Sequence, residues 1–289
     1  MKRLAIMVFI PFIIASCESL ETRPEEIIGL SHLSISGSSN SQRVTLIKSY
    51  QPSTINRNPV QQGRFGSSVF NVQFSTNTGG RGDPDTANWN VAVLDTAADV
   101  DYLTGLEKDI ILEMNKVRTN PKKYAELYVQ PRIRYFSGRN YSVPGQITIV
   151  TQEGAAAVNS CVSALNGAKS VDLLFPEKGL SFAAKSHVID QSKTGQTGHN
   201  GSDRSTPETR MKKYGTFGGS WTWGENIAYG SSTGRDIIVD LLIDDGVPGR
   251  GHRANIMNSA FKQTGVGFGT HTQYRTSCTI TYASGYTSN

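Results

Sequence analysis

The chain is short of cysteine, short of charge and, past its first residues, without a long apolar run. Each shortage excludes something. Three cysteines among 289 residues are too few for a small scaffold held by a disulfide framework. Charged residues make up 18% and the formal net charge is +5, with Lys and Arg scattered and no basic helix or aromatic-basic stripe, so nucleic acid is not expected as a partner. No Walker-type phosphate loop is present, and no cysteine is placed as a nucleophile. What remains is 37% apolar, enough to bury a substantial core in one large domain or two smaller ones.

The N-terminus carries an address. Met1-Lys2-Arg3 is a positive start, and residues 4–15 form an apolar run broken only by Pro11. That run suits a signal-peptide core and falls short of the roughly 20 apolar residues that span a bilayer. It ends in Ile14-Ala15-Ser16-Cys17, small residues before a cysteine, which resembles the bacterial lipobox. Residues 1–16 then read as a lipoprotein signal peptide, and Cys17 as the lipidated first residue of the mature chain. The protein would sit in the bacterial cell envelope, on the outer membrane or surface, with the membrane as its partner through the lipid. The plainer alternative is ordinary secretory cleavage with an incidental Cys17. Cys161 and Cys278 are then an even pair in an oxidising compartment, and a disulfide between them is expected. The loop-entropy model values a bridge closing so long a loop at about 4–5 kcal/mol. The alternative is two separate buried thiols.

Composition divides the rest. Residues 17–55 hold the lipidated cysteine and a Ser-, Gly- and Asn-rich tether. Residues 56–103 form an N-terminal extension of unknown role, with strand-like patches over 69–74 and 90–94. The loop between these patches contains Arg81-Gly82-Asp83, whose expected role is an ordinary turn. From residue 104 the pattern turns helical. Leu106, Ile110, Met114 and Val117 follow helical spacing, and Asn120-Pro121 reads as an N-cap and first helical residue. Residues 132–146 read as a polar loop. Further helices are expected from Thr151, over 180–193, 208–214 and 235–242, with strands over 223–229, 265–270 and 276–283. Helices mixed with strands that cluster late suggest a sheet covered by helices on both faces.

Four side chains in the second half invite chemistry. His199 follows Gly198 and opens the loop Asn200-Gly201-Ser202. Glu225 stands between Gly224 and Asn226 at the start of an apolar strand, where a carboxylate is costly unless partnered. Asp244 and Asp245 end a helix, where acidic groups oppose the macrodipole, so another interaction must hold them. His252 follows Gly251 and begins a short helical turn with Arg253 and Asn255. Two imidazoles with carboxylates suit a divalent metal with a water in an open position, and equally suit acid–base chemistry. The separations are long and irregular, so spacing does not choose between them. His187, three residues before Asp190, reads as a packed or surface histidine.

Gly198-His199, Trp223-Gly224-Glu225-Asn226-Ile227-Ala228, Gly251-His252-Arg253-Ala254-Asn255-Ile256-Met257 and Thr264-Gly265-Val266-Gly267-Phe268-Gly269 together resemble the CAP superfamily, or SCP domain, in that order along the chain. The resemblance covers roughly residues 104–285, within a domain expected over 104–289. It implies an α/β fold, an α-β-α sandwich with a mixed, mainly antiparallel sheet between helical layers. It also implies a shallow cleft lined by a His-Glu-Glu-His tetrad. His199, Glu225 and His252 match three of its members. At the fourth, Asp244 stands where a glutamate is usual, Leu241 replaces the tryptophan three residues before it, and Asp245 is a neighbouring substitute. Zinc or another divalent metal would be held by His199, His252, Glu225 and Asp244. What the resemblance implies of function is ligand binding through this cleft, of a lipid or sterol, a metal, or a host or envelope partner. The alternative is a metal-dependent or acid–base hydrolase of peptide or envelope material, with the same four as catalytic candidates.

Overall fold

A computed structural model describes residues 85–289. The expected signal peptide, Cys17, the tether, the strand over 69–74 and the Arg81-Gly82-Asp83 turn lie outside the described residues. The described chain opens with α1 (Val91–Leu94), α2 (Gly105–Thr119) and α3 (Pro121–Tyr124). A π turn (Ala125–Val129) and a 3-10 turn (Gln130–Tyr135) lead into β1 (Phe136–Ser137), β2 (Asn140–Tyr141) and β3 (Ile149–Val150). Next come α4 (Ala155–Gly167), β4 (Phe175–Pro176), α5 (Lys178–Thr194) and α6 (Pro207–Tyr214), then β5 (Gly215–Phe217) and β6 (Trp223–Tyr229). The chain closes with α7 (Gly234–Ile243), α8 (Gly251–Ile256), β7 (Gln263–His271), β8 (Arg275–Ala283) and β9 (Tyr286–Ser288). No described helix is long and apolar enough to cross a membrane.

The central sheet runs β4-β7-β8-β6, parallel at β4–β7 and antiparallel elsewhere, which makes it mixed and mainly antiparallel. Period-two alternation sorts its faces. Cys278, Ile280 and Tyr282 of β8 join Val266 and Ala228 in the larger core with α2, α4 and α7. On the opposite face Thr281 donates to the Leu180 carbonyl of α5 at 3.2 Å, and Leu180 and Ala183 pack with Met211, Trp223 and Ala283. The result is the α-β-α sandwich. The glycines of β7 set how closely α5 approaches. A Cβ on Gly265 would fall 2.2 Å from the Leu180 carbonyl carbon, and one on Gly267 2.6 Å from the Lys185 nitrogen.

Local chemistry explains where the helices begin. Thr104 and Glu107 form a reciprocal capping box on α2, and Glu107 also accepts the Phe268 amide of β7 at 3.2 Å. Asn120 caps α3 with Pro121 at its first position, as its sequence predicts. Residues 90–94 are not a strand but contain α1. A short apolar run does not distinguish the two by itself, and the Leu94 carbonyl goes to the side chain of Asn115 at 2.9 Å rather than to a ladder. The helix expected from Thr151 starts at Ala155, because the Thr151 hydroxyl accepts the Gly154 amide at 3.0 Å in the preceding turn. The loop over 132–146 contains the β1–β2 hairpin.

Residues 85–103 pack into the same fold. Trp89, Leu94, Ala97 and Leu103 belong to the larger core. Asp85 pairs with Lys116 at 2.7 Å and with Arg235, and Lys116 also pairs with Glu113 at 2.8 Å. A second tie lies in Arg118, fully buried on α2. Its guanidinium donates to four carbonyls, those of Asp172, Ile256, Asn258 and Phe261, at 2.6–3.0 Å. One side chain thereby fixes the loop after α4 and the turn between α8 and β7.

The disulfide between Cys161 and Cys278 is not formed; both are free and buried. They occupy different surroundings: Cys161 on α4 lies against Arg253, while Cys278 on β8 feels the charge of Glu107. Burial pushes the Cys161 thiol up to about 11 and raises Cys278 further, so both are inert thiols of the core.

Candidate functional site

The loop that carries His199 is built before the histidine arrives. Gly198 sits at φ +95, a conformation that favours glycine. Its carbonyl accepts from His187 Nε2 at 2.8 Å and from Gln191 at 2.8 Å, and its amide donates to the Tyr229 hydroxyl at 3.1 Å. His271 Nε2 donates to the neighbouring Gln196 carbonyl at 3.0 Å. His187 is thus a packed histidine of α5. Asp190 does not meet it and instead accepts the Ser202 amide at 2.8 Å farther along the loop. Desolvation lowers the pKa of His187, keeping its ring neutral.

So held, His199 donates from Nδ1 to Glu225 Oε1 at 2.8 Å. Glu225 is 1% exposed, and Arg210 completes its partnering, donating to Oε2 at 2.8 Å and Oε1 at 3.1 Å. Burial by itself would raise the Glu225 pKa. The His199 hydrogen bond and the Arg210 charge outweigh it and hold the carboxyl below the usual range. The partner that the sequence demanded for Glu225 is therefore double. Arg210 escaped the sequence reading, although a signal exists. Pro207, Arg210, Met211 and Tyr214 share one stripe of α6, and three of the four are buried, so Arg210 stands at a core position.

The second pair is Asp244 with His252. Asp244 caps α7 in the left-handed region at φ 57 and ψ 46. Its Oδ1 accepts from His252 Nδ1 at 2.6 Å and its Oδ2 from the His252 amide at 3.0 Å, with both residues fully buried. Other groups relieve the macrodipole conflict: Arg253 donates to the Leu242 and Ile243 carbonyls at 2.5 and 3.2 Å. Asp245 turns away and accepts the Gln152 and Glu153 amides at 2.6 and 2.9 Å, so it does not substitute for Asp244. His252 Nε2 is buried with no hydrogen-bond partner among the described residues.

Alternation along β6 separates the two pairs. Glu225 faces α5 and α6, while its neighbour Asn226 faces α8, donating to the His252 carbonyl at 3.1 Å and accepting from Asn255 at 2.9 Å. A Cβ on Gly224 would lie 3.0 Å from the Asn255 side chain, which explains why glycine precedes Glu225. The motifs around Glu225 and His252 therefore interlock through asparagines. No group of three or more His, Cys, Asp or Glu side chains gathers to hold a metal among the described residues. Both carboxylates point at imidazole Nδ1 atoms, and Glu225 already has a guanidinium as its cation. Glu225 and Asp244 thus orient the two imidazoles rather than stand beside them as ligands, and a metal would have the ring Nε2 atoms to bind. The four residues form two hydrogen-bonded pairs, each at most 9% exposed, rather than the lining of an open cleft.

A separate small recess of about 40 Å³, open in part to solvent, lies beside the end of α7. Phe136, Tyr141 and Ile243 give it an apolar wall, with Arg132 and Asp240 as its charged pair at 2.8 Å. Burial pushes the Asp240 carboxyl up to about 6 against the pull of Arg132, whereas Arg132 is itself raised by Asp240 and Asp236. The short contact and the Ser231 hydroxyl donating to Asp240 at 2.6 Å argue for a charged pair at neutral pH. One more motif concerns hydrolysis. Gly230-Ser231-Ser232-Thr233-Gly234 has the spacing of a nucleophile elbow and joins β6 to α7. Ser232 is exposed, and among the described residues no histidine is hydrogen-bonded to it.

The model of the cysteine-rich secretory protein family, CAP, matches residues 114–284. No curated protein matches the chain. Among solved structures, an extracellular protein containing an SCP domain from Bacillus anthracis str. Ames is 24% identical, with a TM-score of 0.32 and coverage of 39% of this chain and 34% of that one. An outer surface protein from Borrelia burgdorferi is 17% identical, with a TM-score of 0.33 and coverage of 43% of this chain and 83% of its own. The chain thus spans about a third of the length of the Bacillus protein.

Proposed function

The chain belongs to the cysteine-rich secretory protein (CAP) family, and on that premise we propose that it is an extracytoplasmic binding module, lipid-anchored at Cys17 on the bacterial outer membrane or surface. Its ligand is a lipid or sterol, or a host or envelope partner, met on the face that the His199 and His252 loops build. One observation supports binding over hydrolysis: the four side chains are at most 9% exposed, and His252, whose Nε2 has no hydrogen-bond partner among the described residues, is fully buried away from any substrate. His199 and Arg210 occupy Glu225, and His252 occupies both oxygens of Asp244. A general base needs a lone pair within reach of substrate, and a nucleophile needs a base within hydrogen-bond reach. The described residues provide neither pairing around Ser232.

Two measurements test the reading. The purified protein should leave peptide and peptidoglycan libraries intact. Turnover that disappears in Glu225→Ala while the fold persists would establish the hydrolase instead. Cys17→Ser should move the protein from the detergent phase to the aqueous phase, and unchanged partitioning would remove the anchor.

A further inference from the structure

We propose that Arg210 is a built-in cation that takes the place of a divalent ion beside Glu225, so that the His199 half of the site works as a metal-free hydrogen-bonding unit. The argument begins with the carboxylate. A buried Glu225 must be neutralised, and a metal ion or a protein cation would each do so. Here the guanidinium engages both oxygens, at 2.8 and 3.1 Å, from a residue that is itself 5% exposed. It is fixed from behind, since its Nη1 donates to the Ser205 carbonyl at 3.1 Å. Three hydrogen bonds thus occupy the carboxylate, two at Oε1 and one at Oε2, and the guanidinium stands where a metal ion held by both oxygens would be.

Charge reinforces geometry. A divalent ion ligated by Glu225 would lie close to a fixed guanidinium, and one on the outer edge of the His199 ring would still meet its charge in surroundings of low polarity, where like charges repel strongly. Guanidinium does not deprotonate to make room, unlike a lysine ammonium, which loses its proton readily on burial. Placement follows from α6, whose capping box at Thr206 fixes the helix start and turns Arg210 into the core. The inference does not depend on which organic ligand the protein takes, so its failure would leave the binding reading standing.

The test titrates zinc chloride alone into the full chain by calorimetry, with the histidine ring nitrogens followed by NMR. Wild type, His199→Ala, Arg210→Gln and Arg210→Lys are compared, and only zinc binding lost in His199→Ala counts. Wild type and Arg210→Lys should show none, with His199 ring signals unmoved. Arg210→Gln should acquire such binding at least about tenfold tighter than the weakest affinity the titration detects, about 1.4 kcal/mol. Zinc binding in wild type that His199→Ala abolishes overturns the proposal, as does a folded Arg210→Gln with no gain. If Arg210→Gln does not fold, the wild-type arm decides: unmoved His199 signals support the proposal, and shifted ones refute it.

Discussion

Asp244→Asn isolates what the second pair contributes, because asparagine also tolerates the left-handed backbone at φ 57. The change keeps size and conformation but removes the charge and turns one acceptor into a donor. The His252 amide at 3.0 Å can keep an oxygen, while Nδ1 at 2.6 Å then faces an NH2 group or a neutral carbonyl. A hydrogen bond to a charged group contributes roughly 1.5–3 kcal/mol, so a loss of about 2 kcal/mol is expected. At about 2–4 °C per kcal/mol for a domain of this size, the melting temperature should fall by about 4–8 °C. Asp244→Ala should cost more, because it also orphans the His252 amide and forces a left-handed alanine. Asp244→Glu should cost as well, since an extra methylene must enter a fully buried place. Urea unfolding read by tryptophan fluorescence gives the midpoint, with an unchanged slope showing that stability alone moved. A double-mutant cycle with His252→Gln should return a coupling of at least about 1 kcal/mol. If Asp244→Asn unfolds within about 0.5 kcal/mol of wild type, or the cycle shows no coupling, the pair does not brace α7 to α8 and the reasoning fails.

Arg118→Met should destabilise the fold by about 3 kcal/mol or more, because it strips four buried carbonyls of one shared donor; a loss below about 1 kcal/mol in the same urea assay would contradict it. Stability should fall on acidification in two stages. His187 has a lowered pKa in the fold, so the unfolded chain takes up the proton first and stability declines as pH drops below about 6.5. Glu225 is also lowered, so its contribution is present above the unfolded value of about 4.3 and is lost as pH falls through the folded value. His187→Gln should flatten the first stage and Glu225→Gln the second; profiles parallel to wild type would refute the assignments. Alkylation of protein unfolded without reductant should label both Cys161 and Cys278, and a linked peptide in the mass spectrum would restore the bridge.

Much of the secondary structure was legible because the signals were local. The stripe from Leu106 to Val117, Asn120-Pro121, and the alternation along β6 and β8 each depend on neighbours in sequence. The 90–94 segment was not legible, since four apolar residues carry no period and its carbonyl partner is Asn115, a contact set by packing. Arg118 was opaque for the same reason: its four acceptors come from distant loops. Arg210 lay between these cases, visible as a charge within an apolar stripe but without a sign of what it would face.

The sequence by itself determined the family, the order of the elements and the four positions His199, Glu225, Asp244 and His252, because motif order and periodicity are properties of the chain. Tertiary structure alone decided how those four are used. Side-chain alternation on β6 sends Glu225 and Asn226 to opposite faces, and Arg210 from α6 reaches the first while α8 meets the second. A tetrad in sequence thereby becomes two pairs in space, since a hydrogen bond depends on where a group points, and only the packed fold fixes that.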